Sequence, residues 1–305
     1  DILANDVAIF NNYRDLLKQP LDIVFVALSN DVAPEVTMAA LNKKIHVFCE
    51  KPPGRNIRDI ENVRAIERSN PGIKLKYGFN HRYHDSVREA LTIIKSGEIG
   101  KIINVRGIYG RSKFISFGAK SDWRIDREIA GGGILLDQGI HMLDLMRLFI
   151  NEEFSEIHSF ISNDYWGYSV EDNAYALMKS GSGVVAMLHS TATQWCHQFN
   201  MDIACEKGGL IISGILSSSK SYGKETLTAI FPSKNDGGRP DERKKYYEND
   251  NSWRDEITEF ADAVIRDKII EYGSSVEALA TMKLVYQIYC ADPVWKSKWN
   301  LENPI

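Results

Sequence analysis

The sequence lacks the residue patterns that hold a metal ion or a disulfide framework. Its four cysteines are scattered along 305 residues with no C-x-x-C pair: Cys49, Cys196, Cys205 and Cys290. None of its seven histidines forms an H-x-x-x-H or H-E-x-x-H motif, which would place two imidazoles on one helix face. We therefore expect no metal site, and buried free thiols in a reducing compartment, the cytoplasm.

Long apolar runs and concentrated positive charge are also missing. No stretch approaches the roughly 20 apolar residues of a membrane-spanning helix, and the first residues do not read as a signal peptide. The formal net charge is −4. The basic residues of 239–245 are interrupted by Asp241 and Glu242, which is typical of a solvated loop. We therefore expect neither a membrane nor a nucleic acid as partner.

The chain does contain enough apolar material for two domains, since 44% of its residues are hydrophobic. Continuous apolar runs at 21–29, 45–53 and 74–80 predict strands buried on both faces, as in a parallel sheet. The segments between these runs predict helices that cross over from one strand to the next. The first part of the chain, residues 1–80, is therefore predicted to be an α/β domain with a parallel sheet.

The second part, residues 81–305, shows a different pattern. It begins with a predicted helix over 85–96 and a strand over 102–110. After residue 150 the hydrophobic period shifts towards two, and glycine-containing turns separate the segments. This pattern predicts an α+β domain dominated by a large, mostly antiparallel open sheet, with two more helices near its end.

Glu50-Lys51-Pro52 closes the second predicted strand. In open α/β sheets, ligands bind beyond the carboxyl ends of the strands, so a lysine at this position faces the crevice. Glu50 could hold the Lys51 ammonium in place. A surface turn would have the same sequence, and the tripeptide alone does not distinguish the two.

Asp137 and His141 lie four residues apart in a predicted helix, which places them on one face. A carboxylate beside an imidazole can orient the ring and raise its basicity, as removal of a hydroxyl proton requires. Gly131, Gly132 and Gly133 precede them and would let the backbone approach a ligand closely. An exposed helix pair of little energetic value is the alternative.

These motifs occur together and in a specific order. Glu50-Lys51-Pro52, GFNHRY, SGEIGKI, Trp123-Arg124, GGGILLDQGIH and Val170-Glu171-Asp172 resemble segments of the Gfo/Idh/MocA oxidoreductases. The resemblance covers about residue 10 to about residue 290. It implies a Rossmann-type dinucleotide domain followed by the α+β domain.

The start of the chain lacks part of the dinucleotide domain that this resemblance implies. The chain starts at Asp1 without Met, and the G-x-G-x-x-G turn of the cofactor domain is not in it. We therefore expect a partial Rossmann domain. The sequence could be a remnant of a longer chain, the product of a truncated gene model, or a natural form that has lost the cofactor. We favour the first two, because a sheet without its central strand would expose buried edges.

The resemblance also implies roles for individual residues. It makes Lys51, Asp137 and His141 catalytic and substrate-binding, with His141 the usual acid or base; whether Lys51 or His141 moves the proton stays open. It implies a cofactor-binding set made of Ser29, Asn30, Glu50, Lys51, Asn80, Trp123 and Arg124. The residues themselves suggest further side chains that could either contact a sugar or simply pack: Arg82, Tyr83, Tyr109, Arg111 and Trp166.

The implied activity is hydride transfer between NAD or NADP and a hydroxyl or keto carbon of a sugar, sugar nucleotide or cyclitol. The alternatives are a non-catalytic ligand sensor on the same fold, or an enzyme that recycles bound NAD while cleaving a glycoside or eliminating a group. An open sheet has one face to cover, and relatives cover it with another subunit. We therefore expect a homo-dimer or homo-tetramer.

Overall fold

The computed structural model describes residues 7–114, 122–217, 219–233 and 238–304. Within them the strands are β1 (Ile23–Val26), β2 (His46–Glu50), β3 (Leu75–Gly78), β4 (Ile102–Gly110), β5 (Phe154–Ser162), β6 (Asn173–Ser180), β7 (Val185–Thr191), β8 (Gln198–Cys205), β9 (Gly208–Ser213), β10 (Glu225–Phe231) and β11 (Asp241–Tyr247). The helices are α1 (Tyr13–Leu16), α2 (Ala33–Asn42), α3 (Ile57–Arg68), α4 (Asp85–Ser96), α5 (Arg127–Ala130), α6 (Ile140–Ile150), α7 (Ser252–Ile265), α8 (Ser275–Ala291) and α9 (Pro293–Lys298). Short 3₁₀ turns lie at Asn80–Tyr83 and Trp123–Ile125, and a π-helical segment at Leu135–Gly139.

The first sheet is parallel, with its strands in the order β1-β2-β3. Val24 pairs with Val47, and Val47 in turn with Leu75. Helices α2 and α3 connect the strands, as a parallel arrangement requires. The parallel-sheet prediction is confirmed, and it places the ends of all three strands at one edge.

The second sheet has eight strands in the order β11-β10-β9-β8-β4-β7-β6-β5. Every neighbouring pair is antiparallel except β4 and β7. The prediction of a large, mostly antiparallel sheet is confirmed. Helix α6 packs closely on one face of this sheet. The approach is so close that a Cβ atom at Gly107 of β4 would lie 2.6 Å from Cε of Met146.

Helices from the end of the chain return to the first sheet. Phe260 of α7 contacts the rings of Phe25 and Phe48, with centroids 6.4 and 5.7 Å away. Helix α8 packs against α3 and β3. Helices α7 and α8 belong to the predicted second domain but lie against the first sheet. The domain boundary between residues 80 and 81 stays a prediction.

Two local predictions are corrected. The segment expected as a loop around 239–245 forms the edge strand β11, because it pairs with β10 along its length while its side chains stay exposed. The four cysteines are free, as predicted, but only Cys49 and Cys205 are buried; Cys196 is exposed and Cys290 is partly exposed.

The sequence predicted neither a membrane-spanning helix nor a metal site, and the following holds for residues 7–114, 122–217, 219–233 and 238–304. No helix there is long and apolar enough to cross a membrane. No group of three or more metal-ligating side chains comes together in those residues.

Candidate active site

The strand ends of the first sheet meet the glycine-rich turn before α6. Asn30, just beyond β1, donates from Nδ2 to the carbonyl oxygen of Ala130 at 2.7 Å. Gly131 has a φ of +83°, and a Cβ atom there would lie 2.2 Å from the carbonyl oxygen of Arg55. The glycines were expected to approach a ligand. Gly131 instead lets its own backbone pack against the backbone of Arg55, in the loop that follows Lys51. This contact holds the glycine-rich turn against that loop.

Glu171 holds this glycine-rich turn from beneath. Its carboxylate accepts hydrogen bonds from the backbone amides of Gly133 at 2.7 Å and Leu135 at 2.9 Å. The Tyr289 hydroxyl donates a third bond at 2.7 Å. Burial raises the pKa of Glu171, while the hydrogen bonds from Tyr289 and from the Gly133 amide oppose the rise. The sequence singled out Val170-Glu171-Asp172 only by resemblance, and the structure shows what Glu171 supports.

Lys51 and Asp137 form the centre of the site. Nζ of Lys51 donates to the main-chain oxygen of Asp137 at 2.6 Å and to Oδ1 at 3.2 Å. Nε of Arg124 lies 3.8 Å from Oδ2. Burial would raise the pKa of Asp137, but Lys51 and Arg124 outweigh it, so that pKa lies below its usual value. Asp137 therefore stays ionised at neutral pH.

This pairing corrects two predictions. Glu50 was expected to hold the Lys51 ammonium, but Asp137 does so. Asp137 was expected to orient His141, yet Nδ1 of His141 is buried with no hydrogen-bond partner among the described residues. The physical reason is that the carboxylate is already paired with a cation. The segment carrying Asp137 is also π-helical rather than α-helical, a distortion frequent at functional sites.

His141 instead lies against another imidazole. The rings of His81 and His141 are stacked, with centroids 3.8 Å apart and planes 13° apart. Burial lowers the pKa of His141 well below its usual value, and the neighbouring His81 and Lys51 lower it further. His141 is therefore neutral at pH 7, and its ring can accept a proton. His81 belongs to the GFNHRY segment, but no pattern in the sequence indicated a role for it.

The predicted cofactor-binding residues fall into two groups. Ser29, Glu50 and Trp123 keep part of their surface open near the strand ends. Burial raises the pKa of Glu50 to about 7, against the opposing effect of Lys51. The Arg124 guanidinium lies over the Trp123 ring, 4.3 Å from its centroid. Of these side chains, Arg124 lies beside the Lys51–Asp137 pair, with Nε 3.8 Å from Oδ2 of Asp137.

Asn30 and Asn80 are engaged inside the protein. Asn30 makes the bond to Ala130 described above, and Asn80 contacts Ser252 and His81 at 3.1 Å each. Asn80 was expected to contact the cofactor, but both of its polar side-chain atoms have protein partners. Asn80 therefore links Ser252 to His81 within the protein.

The possible sugar-contacting residues are also divided. Arg82 makes a bidentate pair with Asp144, at 2.7 Å for both bonds, and a further bond to Glu277 at 2.5 Å. Arg82 and Asp144 are buried and Glu277 is partly buried, so Arg82 connects elements inside the protein. Tyr83 bonds to Glu259, and Trp166 to the carbonyl oxygen of Ala192, so both are packing residues.

Tyr109 and Arg111 lie closer to the centre. The Tyr109 hydroxyl is 3.2 Å from Nε2 of His81. Nε of Arg111 is buried without a hydrogen-bond partner among the described residues, and its charge helps to lower the pKa of Asp137. Arg111 is therefore the better placed of the two to bind a polar ligand.

Comparison with protein-family models supports the resemblance found in the sequence. Residues 3–79 match the model described as "Oxidoreductase family, NAD-binding Rossmann fold". Residues 87–211 match the GFO/IDH/MocA C-terminal domain. The chain belongs to the Gfo/Idh/MocA oxidoreductase family. The first match begins at residue 3 and gives no support to the expectation of a partial Rossmann domain.

Curated relatives of this Gfo/Idh/MocA chain include enzymes named for sugar and cyclitol substrates. A 1,5-anhydro-D-fructose reductase of Ensifer adhaerens is 29% identical over 70% of this chain and 63% of its own length. An inositol 2-dehydrogenase of Salmonella typhimurium is 25% identical over 76% of this chain and 66% of its own length. The matches thus span less than two thirds of these relatives.

Solved structures show the same fold. A levoglucosan dehydrogenase in complex with NADH superposes with a TM-score of 0.81, covering 93% of this chain and 82% of that one at 19% identity. An oxidoreductase domain protein from Kribbella flavida gives the same TM-score at 20% identity. At this identity the likeness concerns the fold alone.

The site residues fit a nicotinamide dinucleotide. Partly open polar side chains of Ser29, Glu50 and Lys51 lie at the carboxyl ends of parallel strands, where such sheets bind nucleotides. Nδ1 of His141 and Nε of Arg111 are buried polar atoms that lack hydrogen-bond partners among the described residues. Buried polar atoms are normally paired, so a bound ligand would explain both.

Proposed function

We propose that the protein is an NAD- or NADP-dependent oxidoreductase that transfers a hydride between nicotinamide and a hydroxyl or keto carbon of a sugar or cyclitol. The observation that carries this proposal is the Lys51–Asp137 pair beside a neutral, stacked His141 at the strand ends. Such a set supplies a cation, a carboxylate acceptor and a proton carrier within one crevice.

Each side chain has a distinct part in the proposed reaction. The Asp137 carboxylate accepts a substrate hydroxyl, and its ionised state follows from the Lys51 and Arg124 charges. The Lys51 ammonium stabilises negative charge on the reacting oxygen. His141, kept neutral by burial, takes the hydroxyl proton in the oxidative direction. For this transfer it must lie within about 2.6–3.2 Å of that hydroxyl.

The nicotinamide would accept or donate the hydride. We propose that Glu50 binds ribose hydroxyls and that Ser29, Trp123 and Arg124 line the same cofactor path. Lys51 would reach both cofactor and substrate from its position between them. Arg111 would bind the far side of the substrate through its unpartnered Nε.

The proposal is tested with the full-length protein, a panel of sugars and cyclitols, and each of NAD⁺ and NADP⁺. We expect growth of the reduced-nicotinamide absorbance with at least one polyol. Product formed without net nicotinamide reduction would favour the recycling reaction instead. Tight cofactor binding with no turnover of any polyol, together with a stable protein partner, would favour a sensor.

Glu50 gives the cofactor site a specific pH dependence. Its raised pKa of about 7 means that the carboxyl is half-ionised near neutrality and ionised above it. An ionised carboxylate accepts hydrogen bonds from ribose hydroxyls more strongly than the neutral acid does. We expect cofactor affinity to rise roughly fivefold from about pH 6 to about pH 8, measured by quenching of protein fluorescence. Glu50→Gln should flatten this dependence, and an unchanged slope in that variant would remove Glu50 from the cofactor site.

We also propose that the outer face of the large sheet binds a second copy of the chain. Its exposed apolar side chains alternate with buried ones along β6 and β7: Tyr175, Leu177, Val185 and Met187, flanked by Ile103 and Phe160. Phe160 is 78% exposed and Leu177 50% exposed. A continuous apolar surface of this kind marks an interface, and two copies related by a two-fold axis would each cover the other.

Replacing Leu177 with glutamate should separate these subunits. The substitution places a charge in the centre of the apolar face, where pairing would bury it without a partner. Light scattering should then give the mass of one chain instead of two or four. Ile269→Glu is the matched control, since Ile269 is 86% exposed and lies away from this sheet. A wild-type protein that is monomeric at micromolar concentration would contradict the proposal.

A cytoplasmic location completes the proposal. The four cysteines are free, and Cys196 is exposed, an arrangement that persists in a reducing compartment. Fractionation of the native host should recover the protein with other cytosolic enzymes, and recovery from the medium would contradict this part.

A further inference from the structure

A chain of hydrogen bonds fixes the His81 ring. Ser252 donates its hydroxyl to Asp250 at 2.6 Å, so its oxygen accepts from Nδ2 of Asn80 at 3.1 Å. That leaves Oδ1 of Asn80 as an acceptor, 3.1 Å from Nδ1 of His81. His81 therefore carries its proton on Nδ1. Nε2 is then free to accept the Tyr109 hydroxyl at 3.2 Å.

The ring fixed in this way covers one face of the His141 ring, at 3.8 Å and nearly parallel. His141 has no hydrogen bond at Nδ1 within the described residues, so hydrogen bonding at that atom does not set its orientation. The edge of Phe79 contacts the ring from another side, at 6.3 Å and 82°. Packing against the rings of His81 and Phe79 therefore orients the His141 imidazole, a role that had been expected of the Asp137 carboxylate.

We propose that His81 is a positioning residue for His141: its fixed ring sets the orientation of the His141 imidazole and keeps water from that face. This inference rests on the proposed function, because it assigns His141 the proton transfer. It adds Asn80, Ser252 and Tyr109 as the groups that hold His81.

The surroundings of the His81 and His141 rings lower the pKa of both. Lys51 approaches from the end of β2, and its charge disfavours protonation of either ring. His84 lies beside His81 at 5.4 Å and is paired with Glu225 of β10. Burial lowers the pKa of His81 as it does that of His141. Both rings therefore stay neutral, and protonation of one would oppose protonation of the other.

Imidazole nitrogen NMR on the ¹⁵N-histidine-labelled protein tests this arrangement without any turnover. We expect His81 to show the Nδ1–H tautomer, and neither His81 nor His141 to titrate between about pH 5 and pH 8. In His81→Ala, water reaches His141, so its titration should move up by about one pH unit or more. In His81→Phe, which keeps a ring on the same face, His141 should remain neutral over that range.

Turnover provides the second measurement. We expect His81→Ala to lower kcat roughly tenfold with little change in the KM for cofactor, and to move the acid limb of the pH profile upward. His81→Phe should recover most of kcat and keep the wild-type profile. Equal loss in both variants with no shift of the acid limb would reduce His81 to a structural residue and overturn the inference.

The two proposals can fail separately. If His141 titrates identically in wild type and in a folded His81→Ala variant, the inference fails even though hydride transfer stands. If no polyol is turned over but the NMR results are as expected, the positioning of His141 stands and the proposed reaction fails.

Discussion

Replacing Lys51 with methionine should lower kcat by about a thousandfold. Methionine keeps most of the length of the unbranched side chain but removes the ammonium that contacts Asp137. The reacting oxygen then loses its stabilising cation, and the buried Asp137 loses its principal partner. Steady-state assays on a polyol that the wild-type protein turns over measure this loss, and the KM for that polyol should change much less than kcat.

Lys43→Met is the matched control, because Lys43 is exposed just after α2. Its kcat should equal that of the wild type. A Lys51→Met variant that is folded and retains kcat within about tenfold of wild type would show that the ammonium does not act in the transition state.

Replacing Glu171 with alanine should destabilise the protein by about 3 kcal/mol or more, because three buried donors lose their acceptor. Those donors are the amides of Gly133 and Leu135 and the hydroxyl of Tyr289. The glycine-rich turn would lose its support, so activity should fall together with stability. Equilibrium unfolding in urea, followed by tryptophan fluorescence, measures the change.

Two further variants control for this effect. Glu171→Gln keeps one acceptor oxygen but turns an amide group towards a donor, so its loss should be smaller than that of alanine. Glu98→Ala removes an exposed carboxylate and should change stability by less than about 0.5 kcal/mol. An unfolding free energy that is the same in Glu171→Ala and wild type would contradict the role given to Glu171.

The strands and helices that the sequence predicted well are those with a strong hydrophobic period. The predicted bounds of α4 and β4 agree with the structure, and the three apolar runs became β1, β2 and β3. Burial dictates these patterns locally, so they can be read from neighbouring residues. The first turn of α7, which begins at Ser252, is rich in charged residues and shows no such period.

The site was only partly predictable. The structure brings Lys51 and Asp137 into contact, and His141 follows Asp137 by about one turn. Their partners could not be predicted, because each depends on contacts between segments far apart in the chain. The stacking of His81 on His141 joins residues 60 positions apart, and the π-helical turn has no sequence signal.

Arg82 is a residue for which the sequence left two alternatives open. A buried arginine in a motif beside the site has the same sequence signature whether it binds a sugar or an internal carboxylate. The structure pairs it with Asp144 and Glu277, which lie 62 and 195 positions away. No local pattern distinguishes these outcomes, because the choice is made by the packing of α6 and α8 against the 3₁₀ turn.

The most direct test of the central claim is to follow a deuterium atom. A polyol labelled at its reacting carbinol carbon is incubated with the full-length protein and oxidised cofactor, and the cofactor is analysed by mass spectrometry. The account predicts deuterium at C4 of the reduced nicotinamide, with the transfer largely lost in Lys51→Met. Conversion of the polyol without deuterium ever reaching the nicotinamide would contradict it.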